Sequence, residues 1–127
     1  MESMGLGGCV VSKNIIEGKG NIKWCIKEQP VNELDNGWRF LADIDTDEYL
    51  SDAANMVICD WGTIVNIEPA VITIYYLPVG TDLTLKSEEN KKRFINTKTG
   101  MDIIIDLLSW DPFSPENISI KSTYNYN

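Results

Sequence analysis

The side chains best suited to chemistry lie in an acidic stretch that runs from residue 43 to residue 52. Asp43, Asp45 and Asp47 alternate as the first ligands of a calcium-binding EF-hand loop do. Such a loop also needs glycine at its sixth position and a bidentate glutamate at its twelfth, where this chain has Glu48 and Ala54. Because both of these positions are wrong, the pattern predicts no calcium site.

The same acids also have a local explanation as the start of a helix. Asp45 and Glu48 have the spacing of a helix N-cap and its reciprocal glutamate. Asp47 would then lie in the first turn, where the helix dipole favours negative charge. Asp43 and Asp52 are left for the surface. The stretch is therefore interpreted either as a solvated helix start or as a surface that contacts another molecule.

The chain contains no histidine. This excludes Ser-His-Asp and Cys-His catalysis, and it removes the commonest metal ligand and the commonest general base at neutral pH. The three cysteines, Cys9, Cys25 and Cys59, are widely spaced and form no Cys-x-x-Cys motif. The sequence predicts no enzyme, no cofactor and no metal site. An enzyme that uses carboxylates alone is the catalytic alternative that remains.

The net charge predicts the kind of partner. Nineteen acidic residues against eleven basic ones give a net charge of −8. Such a surface repels a phosphate backbone and an anionic membrane, so we predict no nucleic-acid partner and no membrane. A basic protein is favoured, although the same charge also serves solubility. There is no apolar run of about 18 residues and no signal peptide at the N-terminus, so a cytoplasmic location is expected.

Short apolar patterns predict a mixed fold. Strands are predicted at 9–11, 22–27, 38–43, 71–77 and 83–86, and helices at about 46–54 and 60–66. The Asn36-Gly37 pair predicts a turn, and Asp60 is a candidate N-cap of the second helix. Together these elements indicate an α+β class: a single small domain over residues 1–110, with a mostly antiparallel sheet and one or two short helices. Residues 111–127 are predicted to form a polar C-terminal tail.

Alternation along two strands assigns their faces. Trp38 and Phe40 share one strand face, and both are expected in the core together with Trp24. Ile22, Trp24 and Ile26 are expected to share one face of an earlier strand.

Three motifs carry a family resemblance. They are Gly8-Cys9-Val10-Val11-Ser12-Lys13, Gly37-Trp38-Arg39-Phe40 and Asn66-Ile67-Glu68-Pro69-Ala70-Val71-Ile72. In this order, with an acid-rich helix start between the second and third, the chain resembles the bacterial DUF2185 family, also called immunity protein 33 (Imm33). The resemblance covers roughly residues 7–85. It implies an α+β domain that binds and neutralises a cognate toxin of a polymorphic toxin system, and it supplies no catalytic residues.

Candidate contact residues follow from this expected role. A binding protein that occludes a basic toxin needs exposed acids, and interfaces are enriched in tryptophan. The predicted partner-binding residues are Asp43, Asp47, Asp52, Trp61 and Trp110. Burial in the core is the competing explanation for either tryptophan. The alternative function is a regulatory or scaffold domain that binds a partner other than a toxin.

Overall fold

The computed structural model describes residues 5–89 and 91–103. This part of the chain forms six strands: β1 (Gly8–Ser12), β2 (Ile22–Lys27), β3 (Asp35–Ala42), β4 (Met56–Asp60), β5 (Asp82–Glu88) and β6 (Lys91–Asn96). It also forms three short α-helices: α1 (Lys13–Ile16), α2 (Asp47–Leu50) and α3 (Trp61–Ile67). Two 3₁₀ segments lie at Ala53–Asn55 and Pro69–Ile74. None of the helices in these ranges has the length and apolar character needed to cross a membrane.

The strands form one sheet in the order β4-β1-β3-β2-β5-β6. β1 and β3 are parallel, and each of the other neighbouring pairs is antiparallel. The α+β class with a mostly antiparallel sheet is therefore confirmed. β3 and β4 follow one another along the chain, but β1 lies between them. The predicted tail over 111–127 and the last residues of the predicted domain lie outside the described residues.

The core lies on one face of the sheet, beneath α3 and the segment Pro69–Ile74. Trp38 and Phe40 are fully buried there, as predicted. Trp61 joins them at ring-centroid distances of 6.3 Å from Trp38 and 5.7 Å from Phe40. The opposite face, which we call the open face, is not covered by these helical segments. The aromatic cluster fixes α3 against the middle of the sheet.

The strand predicted at 71–77 is wrong, because Pro69–Ile74 is a 3₁₀ segment. Pro69 stands at its first position, and the carboxylate of Glu68 accepts from the N–H of Ala70. Val71 and Ile74 are both fully buried. Their spacing of three residues places both on one side of a 3₁₀ turn, so packing onto the sheet overrides the strand preference of these β-branched residues.

The predicted face of β2 is correct only in part. An irregularity in the pairing with β3 between Ile22 and Trp24 shifts the alternation by one residue. Ile22 and Cys25 are consequently the buried residues of β2. Trp24 and Ile26 do share a face, but it is the open face, where both are half-buried. The prediction of Trp24 in the core is therefore wrong, because the irregularity turns its side chain away from Phe40.

The turn predicted at Asn36-Gly37 is also wrong, since both residues belong to β3. Gly37 has a φ of 91°, which is accessible to glycine and strained for other residues. Its carbonyl accepts from the N–H of Glu28 at 2.8 Å. The glycine therefore allows the backbone of β3 to lie close to the backbone at Glu28.

Candidate functional site

Asp45 is the structural centre of the acidic stretch. Its Oδ1 accepts from Ser12 Oγ at 3.0 Å and from Asn14 Nδ2 at 2.7 Å, while its Oδ2 accepts from the N–H of Ala42 at 2.7 Å. Ser12 is fully buried, and Asn14 nearly so. Asp45 thus joins the C-terminal ends of β1 and β3 to the start of α1.

The helix that follows begins one residue later than predicted. The N-cap of α2 is Thr46, whose Oγ1 accepts from the N–H of Tyr49 at 3.1 Å. Asp45 lies one residue before this cap, and its carboxylate accepts from Ser12, Asn14 and Ala42 instead. Asp47 and Glu48 do lie in the first turn of α2, where their charges favour the helix. α2 is short, and a separate 3₁₀ turn replaces the rest of the predicted helix over 46–54.

The three acids predicted to contact a partner, Asp43, Asp47 and Asp52, are all exposed. We call them the acid loop, since they lie on the connection from β3 to β4. Asp43 Oδ1 accepts from the N–H of Asn21 at 3.1 Å, and Asp52 Oδ1 accepts from that of Ala54 at 2.9 Å. Two of the three carboxylates therefore accept backbone hydrogen bonds within the protein, whether or not they also contact a partner.

The structure describes one of the two tryptophans that were predicted to contact a partner. Trp61 is fully buried at the start of α3, packed against Trp38, Phe40 and Tyr75. A partner cannot reach its side chain in this conformation, so Trp61 is removed from the candidate contact surface. Trp110 lies outside the described residues.

The described residues offer no arrangement suited to catalysis by thiols or to metal binding. Within residues 5–89 and 91–103, no group of three or more Cys, Asp or Glu side chains is placed to hold a metal ion. Burial raises the pKa of the Cys9 thiol to about 12, and the nearby Cys59 adds to the shift. Burial likewise raises the pKa of Cys25 and of Cys59. These cysteines are protonated at neutral pH, and a protonated thiol is a poor nucleophile and metal ligand.

An apolar groove of about 620 Å³ lies at the opposite end of the sheet from the acid loop. Its most prominent side chains are Val31 and Leu34, each 79% exposed, and Ile58, which is 82% exposed. Val10 of β1 also lines it. Large aliphatic side chains at this degree of exposure, gathered around one concave surface, are typical of an interaction site.

Side chains hold the loop that carries Val31 and Leu34 in one conformation. Asn32 Oδ1 accepts from the N–H groups of Leu34 at 2.9 Å and Asp35 at 3.0 Å. Asp35 Oδ2 accepts from the N–H of Val31 at 2.9 Å. The N–H of Gly8 donates to the carbonyl of Leu34 at 2.7 Å, which ties this loop to β1. The apolar side chains are therefore presented by a preorganised backbone.

An ion pair anchors the same loop to the sheet. Arg39 on β3 forms two hydrogen bonds with Asp35, Nη1 to Oδ1 at 2.9 Å and Nη2 to Oδ2 at 2.8 Å. It also donates from Nε to Glu28 Oε1 at 2.9 Å. The hydrogen bonds from Arg39, together with those from the backbone of Val31 and Gly37, hold the pKa of Asp35 well below its usual range. Asp35 is consequently ionised at neutral pH, and its charge is largely offset by that of Arg39.

Sequence reasoning missed the groove residues. Residues 56–59 form an apolar run, which is typical of a strand buried on both faces. β4 is instead the last strand at one side of the described sheet, and its outward residue Ile58 is exposed. Val31 and Leu34 lie in a loop without any periodic signal. Only the presence of two large aliphatic residues beside turn-forming residues could have indicated them.

Comparisons with known proteins give one match. Residues 9–96 match the family model described as the immunity protein Imm33 domain. No curated protein and no solved structure matches the chain. The match runs from the second residue of β1 to the end of β6, and so it includes the acid loop together with Val31, Leu34 and Ile58 of the groove.

Proposed function

Since the chain belongs to the Imm33 immunity protein family, we propose that it binds a cognate bacterial toxin and neutralises it without chemistry of its own. The family match carries the proposal, because it covers about two thirds of the chain and nearly the whole described fold. The absence of histidine and the raised pKa values of Cys9, Cys25 and Cys59 support a binding mechanism over a catalytic one.

We further propose that the toxin presents a basic surface. The net charge of −8 favours encounter with a positively charged partner and opposes association with nucleic acid. The acid loop adds three exposed carboxylates to this field. We place the encounter in the cytoplasm, where the free cysteines of the described chain would remain reduced.

The partner is identified by capture and then by its effect on growth. The tagged chain is purified from its native host, and the bound protein is identified by mass spectrometry. That protein is then expressed alone and together with the chain. We expect growth arrest when the captured protein is expressed alone and restored growth when the two are expressed together. A captured partner that does not impair growth would instead favour the regulatory or scaffold alternative.

The stoichiometry of neutralisation separates binding from catalysis. If the chain acts by occupying the toxin, residual toxin activity should fall linearly and reach its minimum near one chain per toxin molecule, independently of incubation time. An enzyme that modifies the toxin turns over, so a small fraction of an equivalent would suffice and the effect would grow with time. Titration of purified toxin at several incubation times distinguishes the two results.

A further inference from the structure

We propose that the groove lined by Val31, Leu34 and Ile58 is the docking surface for the toxin, and that its occupant is an extended segment with apolar side chains and basic flanks. The inference rests on the proposed function, because the occupant belongs to the toxin. It places the interface at the opposite end of the sheet from the acid loop.

The apolar part of the occupant follows from the exposed side chains. Val31, Leu34 and Ile58 are each about four-fifths exposed. They surround a concavity large enough to receive side chains from a partner. Because hydrogen bonds to Asn32 and Asp35 already fix the loop, binding would order little additional backbone. Preorganised apolar surface of this kind loses little conformational entropy when it is covered.

The basic flanks follow from the charges that line the groove. The described lining contains the carboxylates of Glu33, Asp35 and Asp60 and no lysine or arginine. Arg39 offsets the charge of Asp35, whereas Glu33 is exposed and forms no ion pair with a described residue. Asp60 lies at the end of β4, where its carboxylate accepts from the N–H of Gly62. A positively charged segment complements this lining.

The same charges argue against a second copy of this chain as the occupant. Two copies would bring together two identical acidic rims, each on a molecule of net charge −8. Like charges brought face to face oppose association.

The extended conformation follows from the position of β4. Within the described residues, β4 pairs with β1 on one side and with no strand on the other. An edge strand offers unpaired backbone groups to which an extended segment can add. Ile58 projects from this strand into the groove, so one segment could pair with β4 and cover Ile58 at the same time.

The test uses the growth-arresting protein captured by the chain and matched aliphatic substitutions. Leu34→Ser and Ile58→Thr remove apolar contacts from the groove, and Ile44→Thr is the control at the other end of the sheet, since Ile44 is also exposed, at 52%. Each groove variant is expected to raise the Kd at least tenfold, mainly through a faster off-rate. Ile44→Thr should leave the Kd within twofold of the unaltered chain. Equal thermal unfolding midpoints in all variants would confirm that each one is folded.

A charge reversal tests the basic flanks. Glu33→Lys should weaken binding at low salt, and the difference from the unaltered chain should shrink as salt rises. Unchanged or tighter binding would overturn the basic occupant. Groove variants that bind as tightly as the unaltered chain would overturn the docking site, and so would a dimer of the free chain that dissociates in those variants. In either of these cases the unaltered chain still neutralises the toxin, whereas failure of the proposed function is recognised by its inability to do so.

Discussion

At the scale of single residues, neighbouring carboxylates in one short stretch have different roles. Asp45 has both oxygens engaged by Ser12, Asn14 and the backbone of Ala42. Asp47, two residues later, is exposed in the first turn of α2. The spacing of the acids alone cannot separate these roles. The roles differ because β1 and α1 pack beside the end of β3, where Ser12 and Asn14 donate hydrogen bonds to Asp45 while Asp47 stays exposed.

Asp45→Ala is expected to destabilise the fold by about 3 kcal/mol, because it leaves the buried polar groups of Ser12 and Asn14 without their acceptor. Asp47→Ala is the control and should cost less than about 1 kcal/mol, which is the scale of a helix-dipole contribution. Urea unfolding of both variants measures the difference. Equal losses would contradict the structural role assigned to Asp45.

At the scale of elements, two glycines with positive φ angles differ in what surrounds them. Gly37 in β3 has a φ of 91°, and a Cβ added there would lie 2.4 Å from the carbonyl oxygen of Glu28. Gly80 has a φ of 99°, and no described atom would lie within 4 Å of an added Cβ. The first position combines conformational strain with a steric clash, whereas the second has strain alone.

Substitution by alanine should separate these two costs. Gly80→Ala is expected to lower the free energy of unfolding by about 1–2 kcal/mol, the usual cost of a left-handed conformation. Gly37→Ala should lower it by roughly 2 kcal/mol more, since β2 and β3 must also move apart. Chemical unfolding of the two variants under identical conditions provides the comparison. A smaller loss at Gly37 than at Gly80 would show that the strands yield easily at this point.

Local patterns predicted those elements in which local and tertiary preferences agree. Asp60 was a candidate N-cap, and it does cap α3 by accepting from the N–H of Gly62 at 2.8 Å. The alternation at Trp38 and Phe40 likewise indicated the core. The pairing of β1 with both β3 and β4 was not predictable, because these contacts join distant parts of the chain. The segment Pro69–Ile74 was misassigned because its β-branched residues satisfy a strand pattern as well as a buried 3₁₀ pattern.

The candidate site was less predictable than the fold. Composition indicated an acidic surface, and the acids of the acid loop are exposed as expected. Whether they contact a partner remains a prediction. The groove depends on an edge strand and on a loop without periodicity, and a single sequence indicates neither.

At the scale of the whole molecule, the number of acidic charges and their position on the surface can affect association with a partner in different ways. Replacing Asp43, Asp47 and Asp52 by asparagine removes three charges and retains an acceptor oxygen at each position. The hydrogen bonds from the N–H groups of Asn21 and Ala54 can therefore persist. The control replaces Glu17, Glu88 and Glu89 by glutamine, an equal change in charge at exposed positions outside the acid loop. Both variants should fold normally.

If the acid loop steers the toxin, its variant should lower the on-rate several-fold at low salt and flatten the dependence of the on-rate on salt, with little change in the off-rate. The control should have a smaller effect on both. Stopped-flow association measured at a series of salt concentrations gives these values. An acid-loop variant with the on-rate and salt slope of the unaltered chain would leave these carboxylates as a helix start and solvated surface alone.

The insertion of β1 between β3 and β4 constrains how the protein is made. Among the described strands β1 leaves the ribosome first, but Gly8 pairs with Asp35 on one side and with Asp60 on the other. β1 therefore lacks its second neighbour until β4 (Met56–Asp60) has also been synthesised. Pairing between such distant segments also slows folding, so the complete sheet is expected to form more slowly than a local hairpin such as the one formed by β5 and β6.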